Sequence, residues 1–125
     1  MVDSHTLLWM LMGDPALSRA AAAVLDDPET VPLVSAVTAY ELCYKSMRGR
    51  LPEAVALCAD FEREVAFADC EMLPLTAAHA QAAARLDPAH RDPFDRLPIA
   101  QALVERVPLV SNETLFDRFG IERLW

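Results

Sequence analysis

The stretch Val31-Pro32-Leu33-Val34-Ser35-Ala36-Val37-Thr38-Ala39-Tyr40-Glu41-Leu42 decides the fold. Its first half is a short apolar run that reads as a strand. Proline cannot donate to a ladder, so Pro32 belongs at the strand start or on an edge. Ser35 is an N-cap residue type, and a helix follows from Ala36 to about Met47, closed by Gly49. A strand passed straight into a helix is the repeating unit of a parallel sheet.

The flanking sequence repeats that unit. Upstream, Met1-Val2-Asp3 reads as the end of a very short strand. Leu8, Leu11 and Met12 form a helical stripe that stops at the turn Gly13-Asp14-Pro15. Leu17, Ala20, Ala21, Val24 and Leu25 have the spacing of a half-buried helix, ended by Asp26-Asp27-Pro28. Downstream, Ala54, Leu57, Cys58, Phe61 and Val65 form another helical face, and Met72-Leu73-Pro74-Leu75 a third strand. Thr76 caps a helix to about Leu86, and residues 87–95 form a polar loop. Asp95 is expected to cap the next helix, with Pro98 in its first turn, where a missing N–H costs little. Residues 107–111 read as a fourth strand, 114–118 as a short helix stopped by Gly120, and 121–125 as a fifth, edge strand. The expectation is a single α/β domain over 1–125, with helices on both faces of a central parallel sheet of four to five strands.

Composition narrows the function. The 125 residues are 54% apolar and 24% charged, which suits one folded domain and excludes disorder as the main state. No apolar run approaches the ~20 residues of a membrane span. The run at 7–12 is too short for a signal peptide and is preceded by Asp3, not by basic residues. Cys43, Cys58 and Cys70 form no Cys-x-x-Cys motif, and reduced cytoplasmic thiols are the expectation. The net charge of −8 runs against simple nucleic-acid binding, so any phosphate ligand needs its charge screened.

Four acids supply a candidate for that screen. Ligands of parallel sheets bind outside the carboxyl ends of the strands. Asp3 ends the first strand, and Glu41 lies about two helical turns after Ser35. Asp95 starts the helix leading back into the fourth strand, and Glu113 follows that strand. All four should meet at one sheet edge. Carboxylates so gathered repel one another, and their pKa values rise without a counter-charge. A hard divalent cation removes the conflict, and oxygen-only ligands suit Mg²⁺ or Mn²⁺. Glu62, Glu64, Asp60 and Asp69 are assigned to solvated surface.

The same residues carry a family likeness. Asp3-Ser4-His5-Thr6-Leu7-Leu8-Trp9 with Gly13-Asp14-Pro15-Ala16-Leu17-Ser18 resembles the opening of PIN-domain ribonucleases of the VapC toxin type. Val34-Ser35-Ala36, Tyr40-Glu41-Leu42, Lys45 and Gly49-Arg50-Leu51 resemble their second block. His90-Arg91-Asp92-Pro93-Phe94-Asp95-Arg96-Leu97 with Ile99-Ala100-Gln101-Ala102 is the most specific match. Leu109-Val110-Ser111, Phe116, Phe119-Gly120 and Leu124-Trp125 resemble the last block. The order and spacing of the blocks cover essentially the whole chain.

The resemblance implies a three-layer α-β-α PIN-like fold and a Mg²⁺- or Mn²⁺-dependent endoribonuclease. Such an enzyme is the toxin of a type II toxin–antitoxin pair, a cytoplasmic homodimer held by a small cognate antitoxin. It hydrolyses RNA to 5′-phosphate and 3′-hydroxyl ends. Carried over by position, Asp3, Glu41 and Asp95 match the metal-binding acids. Glu113 stands where the family has Asp, and its extra methylene leaves direct ligation or ligation through water open. Ser4, Ser35, Asp92 and Ser111 match supporting positions. The chain begins two residues before Asp3, where the family has a fuller first strand, and whether the native start lies upstream of Met1 is left open by the sequence.

Lys45, Arg48 and Arg50 lie in a stretch with no acid after Glu41 and are candidates for RNA-backbone contact, as are Arg91 and Arg96 beside Asp95. His5, His79 and His90 lack zinc spacing and read as structural or surface residues, His5 being nearest the site. Trp9, Met10 and Met12 read as core or dimer surface. Two rival readings remain. One is a PIN-like domain that has lost catalysis and is retained for binding. The other is a phosphoacceptor receiver domain, which wants its acids together after the first strand and an Asp after the third; here the third strand ends in Leu75-Thr76.

Overall fold

Prolines and early helix caps keep every strand of this protein short. The computed structural model describes residues 1–87 and 90–125; Pro88 and Ala89, which fall in the loop expected at 87–95, lie outside the described residues. Strand β1 (Leu33–Ser35) pairs in parallel with β2 (Glu71–Leu73), placing Val34 opposite Met72. Strand β3 (Leu109–Val110) pairs in parallel with β4 (Arg123–Leu124). Val2 links the two pairs through single parallel bridges to Val34 and Val110. Its N–H donates to Leu33 O at 2.9 Å, and Val110 N donates to Met1 O at 2.8 Å.

The continuous sheet of four to five strands is therefore corrected to two short parallel pairs tied at one residue. The reason is local. Pro32, Pro74 and Pro108 stand directly outside β1, β2 and β3 and cannot extend a ladder. Asp3 and Ser35 are N-caps that turn the chain into a helix at once.

Side chains still alternate across the strands as the pleat requires. Val2, Val34 and Val110 enter one apolar cluster with Leu7, Leu42, Leu57 and Val65. Met1 and Leu109 enter another with Ile99, Ala102 and Phe116, and Leu33 and Leu73 pack against it. Helices thus cover both faces of the strand layer. Trp9 lies 5.5 Å from Trp125, ring to ring, and Trp125 packs on the first cluster.

Helix α1 (Ser4–Met12) ends at Gly13, whose φ of 61° is left-handed backbone that glycine adopts without strain. Helix α2 (Arg19–Leu25) begins after Ser18, which caps it, so Leu17 precedes the helix that was expected to include it. Helix α3 (Ala36–Met47) has the expected bounds and the Ser35 cap, whose Oγ accepts from Val37 N at 2.9 Å. The single helical face expected from Ala54 to Val65 is broken into a 3₁₀ turn (Pro52–Ala54), α4 (Val55–Ala59) and α5 (Phe61–Phe67), with Asp60 extended between the last two. Helix α6 (Ala77–Arg85) carries a reciprocal cap between Thr76 and His79 and lies along α7 (Pro93–Glu105).

The start of α7 differs from the sequence expectation. Asp92, not Asp95, is the N-cap; its carboxylate accepts from Phe94 N at 2.9 Å. Pro93 takes the first helical position, which suits its fixed φ and absent N–H. Asp95 then sits in the first turn, and Pro98 falls beyond it, inside the helix. There its missing N–H leaves the Phe94 carbonyl without its helical partner.

Two buried polar residues on the facing helices differ in satisfaction. Gln101 of α7 is fully buried, accepts from the Ser35 hydroxyl and donates to Pro74 O at 3.3 Å. It ties the start of α3 to the strand exits. Thr38 of α3 is buried, and its hydroxyl has no partner among the described residues. A buried hydroxyl without a partner costs stability. Thr38→Val is expected to raise stability by about 1 kcal/mol, read from urea unfolding.

Candidate functional site

Asp3, Glu41, Asp95 and Glu113 line one cavity of about 230 Å³ at the exits of the central strands. Ser4, His5, Lys45, Asp92, Phe94, Pro98, Asn112 and Phe116 complete its wall. Each acid is brought there by a separate local device. Asp3 leaves the strand layer with its N–H on Val110 O and caps α1, its Oδ1 accepting from Thr6 N at 2.7 Å. Glu41 projects from α3 and is nearly buried. Asp95 is carried in by the Asp92-Pro93 start of α7. Glu113 follows β3 and caps the 3₁₀ helix Thr114–Phe119, with Leu115 N donating to its Oε1 at 3.4 Å.

Glu41 is already partnered on both oxygens. The Ser4 hydroxyl donates to Oε2 at 2.5 Å, and Lys45 Nζ donates to Oε1 at 2.5 Å. Lys45 therefore stands inside the cavity as a counter-ion, beyond the backbone role expected for it. Ser4 is a positioning residue that fixes the Glu41 carboxylate. Ser35 and Ser111 do not line the cavity. Ser35 serves the Gln101 tie, and Ser111 Oγ accepts from Glu113 N at 3.1 Å, which sets the turn after β3.

Asp95 carries the clearest electrostatic signature. Burial pushes its carboxyl above the ordinary carboxylate range, and the nearby charges of Asp92 and Glu41 push the same way against His90. His90 Nε2 lies 3.0 Å from Asp95 Oδ2, and its ring meets Phe119 edge-on at 5.6 Å. Of the two roles expected for His90, structural or surface, the structure gives it the first, as a partner of Asp95. A histidine five residues ahead of the acid, across a proline, gives no periodic signal. His5 lines the cavity, while His79 is buried with its Nε2 at 2.8 Å from Glu105.

The remaining basic candidates divide. Arg48 and Arg50 are exposed, and Arg48 lies over the Tyr44 ring at 4.3 Å. Arg91 is exposed beside Asp92. Arg96 is not free for RNA. Its guanidinium donates to Ala83 O and Leu86 O at the end of α6 and to Asp87 O and His90 O, at 2.5–2.9 Å. Of the cysteines, Cys58 packs beside Cys43, and its thiol is pushed up to about 12 by burial first and by that neighbour second.

The donor chemistry suits a hard divalent cation. It is all oxygen, it includes the mutual repulsion seen at Asp95, and Asp3 Oδ2, Asp95 Oδ1 and Glu113 Oε2 have no hydrogen-bond partner among the described residues. Among the described residues, however, no three of the acids, histidines or cysteines converge closely enough to enclose a metal. Mg²⁺ tolerates that, since it keeps several waters and is bound through one or two carboxylates plus substrate phosphate. The residues fit such an ion. A wider groove of about 880 Å³ beside α1, α2 and α5 holds Asp26, Asp27, Glu64 and Asp69, but none of these sits at a strand exit.

Short parallel strands, helices on both faces and an acid cavity at the strand exits define the class: the chain belongs to the PIN domain family, which matches residues 1–122. Among solved structures it is similar to a chain of VapBC2 from Rickettsia felis bound to a DNA fragment from their promoter. The TM-score is 0.72 at 16% identity, over 98% of this chain and 95% of that one, and at this identity the likeness is one of fold. Curated proteins give no match. No described helix is long and apolar enough to cross a membrane.

Proposed function

We propose that this PIN domain is a Mg²⁺- or Mn²⁺-dependent endoribonuclease of the VapC type, the toxin of a type II toxin–antitoxin pair. The observation that carries the reading is the meeting of Asp3, Glu41, Asp95 and Glu113, four acids far apart in sequence, around one cavity. The family supports a nuclease, and the name of the VapBC2 neighbour supports an antitoxin partner. RNA as substrate, the homodimer and a cytoplasmic setting are part of the proposal.

Asp3 and Asp95 would hold the ion, with Glu113 reaching it directly or through water. When bound, the ion supplies Lewis-acid charge neutralisation and lowers the pKa of a water. The protein's own groups do the rest. Lys45, on Glu41 in the cavity wall, is placed to receive a phosphate oxygen once substrate enters. Glu41 is held by Ser4 and keeps the Lys45 ammonium oriented. His90 fixes one oxygen of Asp95 and leaves the other open. Phe94, Pro98 and Phe116 form an apolar wall that limits bulk water.

The test is incubation of the purified chain with total RNA, with and without Mg²⁺, followed by mapping of the new ends. New 5′-phosphate ends that need the metal support the reading; intact RNA at all metal concentrations rejects it. Glu113→Gln is expected to slow cleavage about tenfold or less, because the amide keeps the reach and the cap to Leu115 while losing only charge. A loss equal to that of Asp95→Asn would make Glu113 a direct ligand. One observation favours a rival: the looseness of the acid set suits a PIN domain retained for binding alone. Metal-independent inertness toward RNA, with antitoxin binding intact, would select it.

A further inference from the structure

Phe94 belongs to two surfaces. It lines the acid cavity, and with Tyr40 and Leu97 it lines an adjoining apolar groove of about 330 Å³. From Phe94 an aromatic series runs outward over α3. Phe94 and Tyr40 stack with centroids 5.8 Å apart at 24°, and Tyr40 and Tyr44 stack at 5.8 Å and 26°. The Arg48 guanidinium closes the series over Tyr44 at 4.3 Å. Tyr40, Tyr44 and Arg48 follow one another every four residues, the helical spacing that also aligns Glu41 with Lys45 on the adjacent strip facing the cavity. Tyr40 is 60% exposed, an uncommon placement for a ring that packs on two others.

We propose that this strip is a stacking bed for the bases of single-stranded RNA whose backbone enters the acid cavity. It rests on the nuclease reading above and names how that site takes its substrate. Every base has a π-face, so stacking on aromatic rings holds a strand without regard to sequence, and arginine adds cation–π and phosphate contacts. Charge selects the occupant. From Leu42 to Leu51 the chain carries no acid, and Arg48 and Arg50 are exposed there while Lys45 is paired with Glu41, on a protein of net charge −8. It is a stretch phosphate can approach. The strip is also continuous with the cavity through Phe94, so a strand lying on it is led to the acids.

Binding of fluorescent single-stranded oligoribonucleotide to the purified chain, in chelator so that nothing is cut, tests the inference. Tyr40→Ala with Tyr44→Ala should weaken binding about tenfold or more, while Tyr40→Phe should stay within about twofold of the parent, because the ring is what stacks. An oligomer of the same length with abasic positions keeps the phosphates and removes the bases; it should bind parent and alanine variant alike. Equal binding of normal RNA by parent and alanine variant overturns the inference. So does a fall in affinity for both oligomers accompanied by dissociation of a dimer in light scattering, which makes the strip a contact between copies. The two readings fail separately. RNA held through the tyrosines but never cut removes the nuclease and keeps the bed, whereas RNA cut by the parent and by the alanine variant alike removes the bed and keeps the nuclease.

Discussion

Asp95→Asn is expected to cost about 10²–10³-fold in RNA cleavage and, in metal-free buffer, to leave the protein more stable than its parent. The two effects share one cause. The Asp95 carboxyl is held above the ordinary carboxylate range by burial, by Asp92 and by Glu41, so its ionised form is disfavoured in the folded chain. A folded state that binds the proton more tightly than the unfolded one loses stability as pH rises through the ordinary carboxylate range to the raised value, and does not recover it above. At neutral pH the metal-free parent therefore bears a penalty that Asn lacks. Asn also still accepts from His90. Thermal melts in chelator should show the variant ahead at pH 7 and the gap closing as pH falls through the raised value into the ordinary carboxylate range. Mg²⁺ should reverse the order, because a ligand that binds only the folded state stabilises it by mass action. The parent's melting point should climb with Mg²⁺ and the variant's should not. Asp3→Asn combined with Asp95→Asn should abolish growth arrest on expression while the protein stays folded. Retained toxicity in that folded double variant would sink the metal mechanism.

What could be read from the sequence follows from what is local. Ser35 is a cap, and a cap is written in one residue type next to an apolar run; it lies where expected, as do the bounds of α3, whereas the cap role of Asp3 does not show in the strand end it closes. The meeting of four distant acids followed from the order of strands and helices: Asp3 and Glu113 follow strands, Glu41 lies about two turns into the helix after β1, and Asp95 lies in the first turn of the helix that leads back into β3. Strand length did not follow. The apolar run at 107–111 reads as a full strand, but only Leu109 and Val110 pair with β4, because Pro108 precedes them and their other neighbour is the single residue Val2. Asp92 and Asp95 are both good caps three residues apart, and the choice went to the one with proline after it. His90 and Arg96 were hidden for a different reason. Their partners are a side chain across a loop and carbonyls at the end of another helix, contacts that no spacing rule encodes.

Arg96→Ala is expected to destabilise the fold by about 2–4 kcal/mol, the largest stability loss predicted for any charged residue in this protein. The last carbonyls of a helix have no partner within it. At the end of α6 those of Ala83 and Leu86 receive Arg96 Nη2, while Asp87 O and His90 O receive Nη1. Hydrogen bonds from a charged donor contribute more than neutral ones; Ala83 O keeps the Leu86 N–H and Asp87 O keeps the His90 N–H when the guanidinium is removed, so the losses add only in part. Arg96→Lys should recover a minority of the loss, since one ammonium cannot span acceptors that a planar fork reaches on two sides. Arg91→Ala, five residues earlier and exposed, should change stability by no more than about 0.5 kcal/mol. Urea unfolding of the three variants gives the comparison. The effect should reach the site as well. Arg96 anchors the carbonyl of His90, and His90 holds Asp95, so cleavage by Arg96→Ala should fall even at temperatures where the variant remains folded. If Arg96 instead served the RNA backbone, alanine would leave the unfolding midpoint unchanged and would lower the slope of RNA binding against log salt by about one.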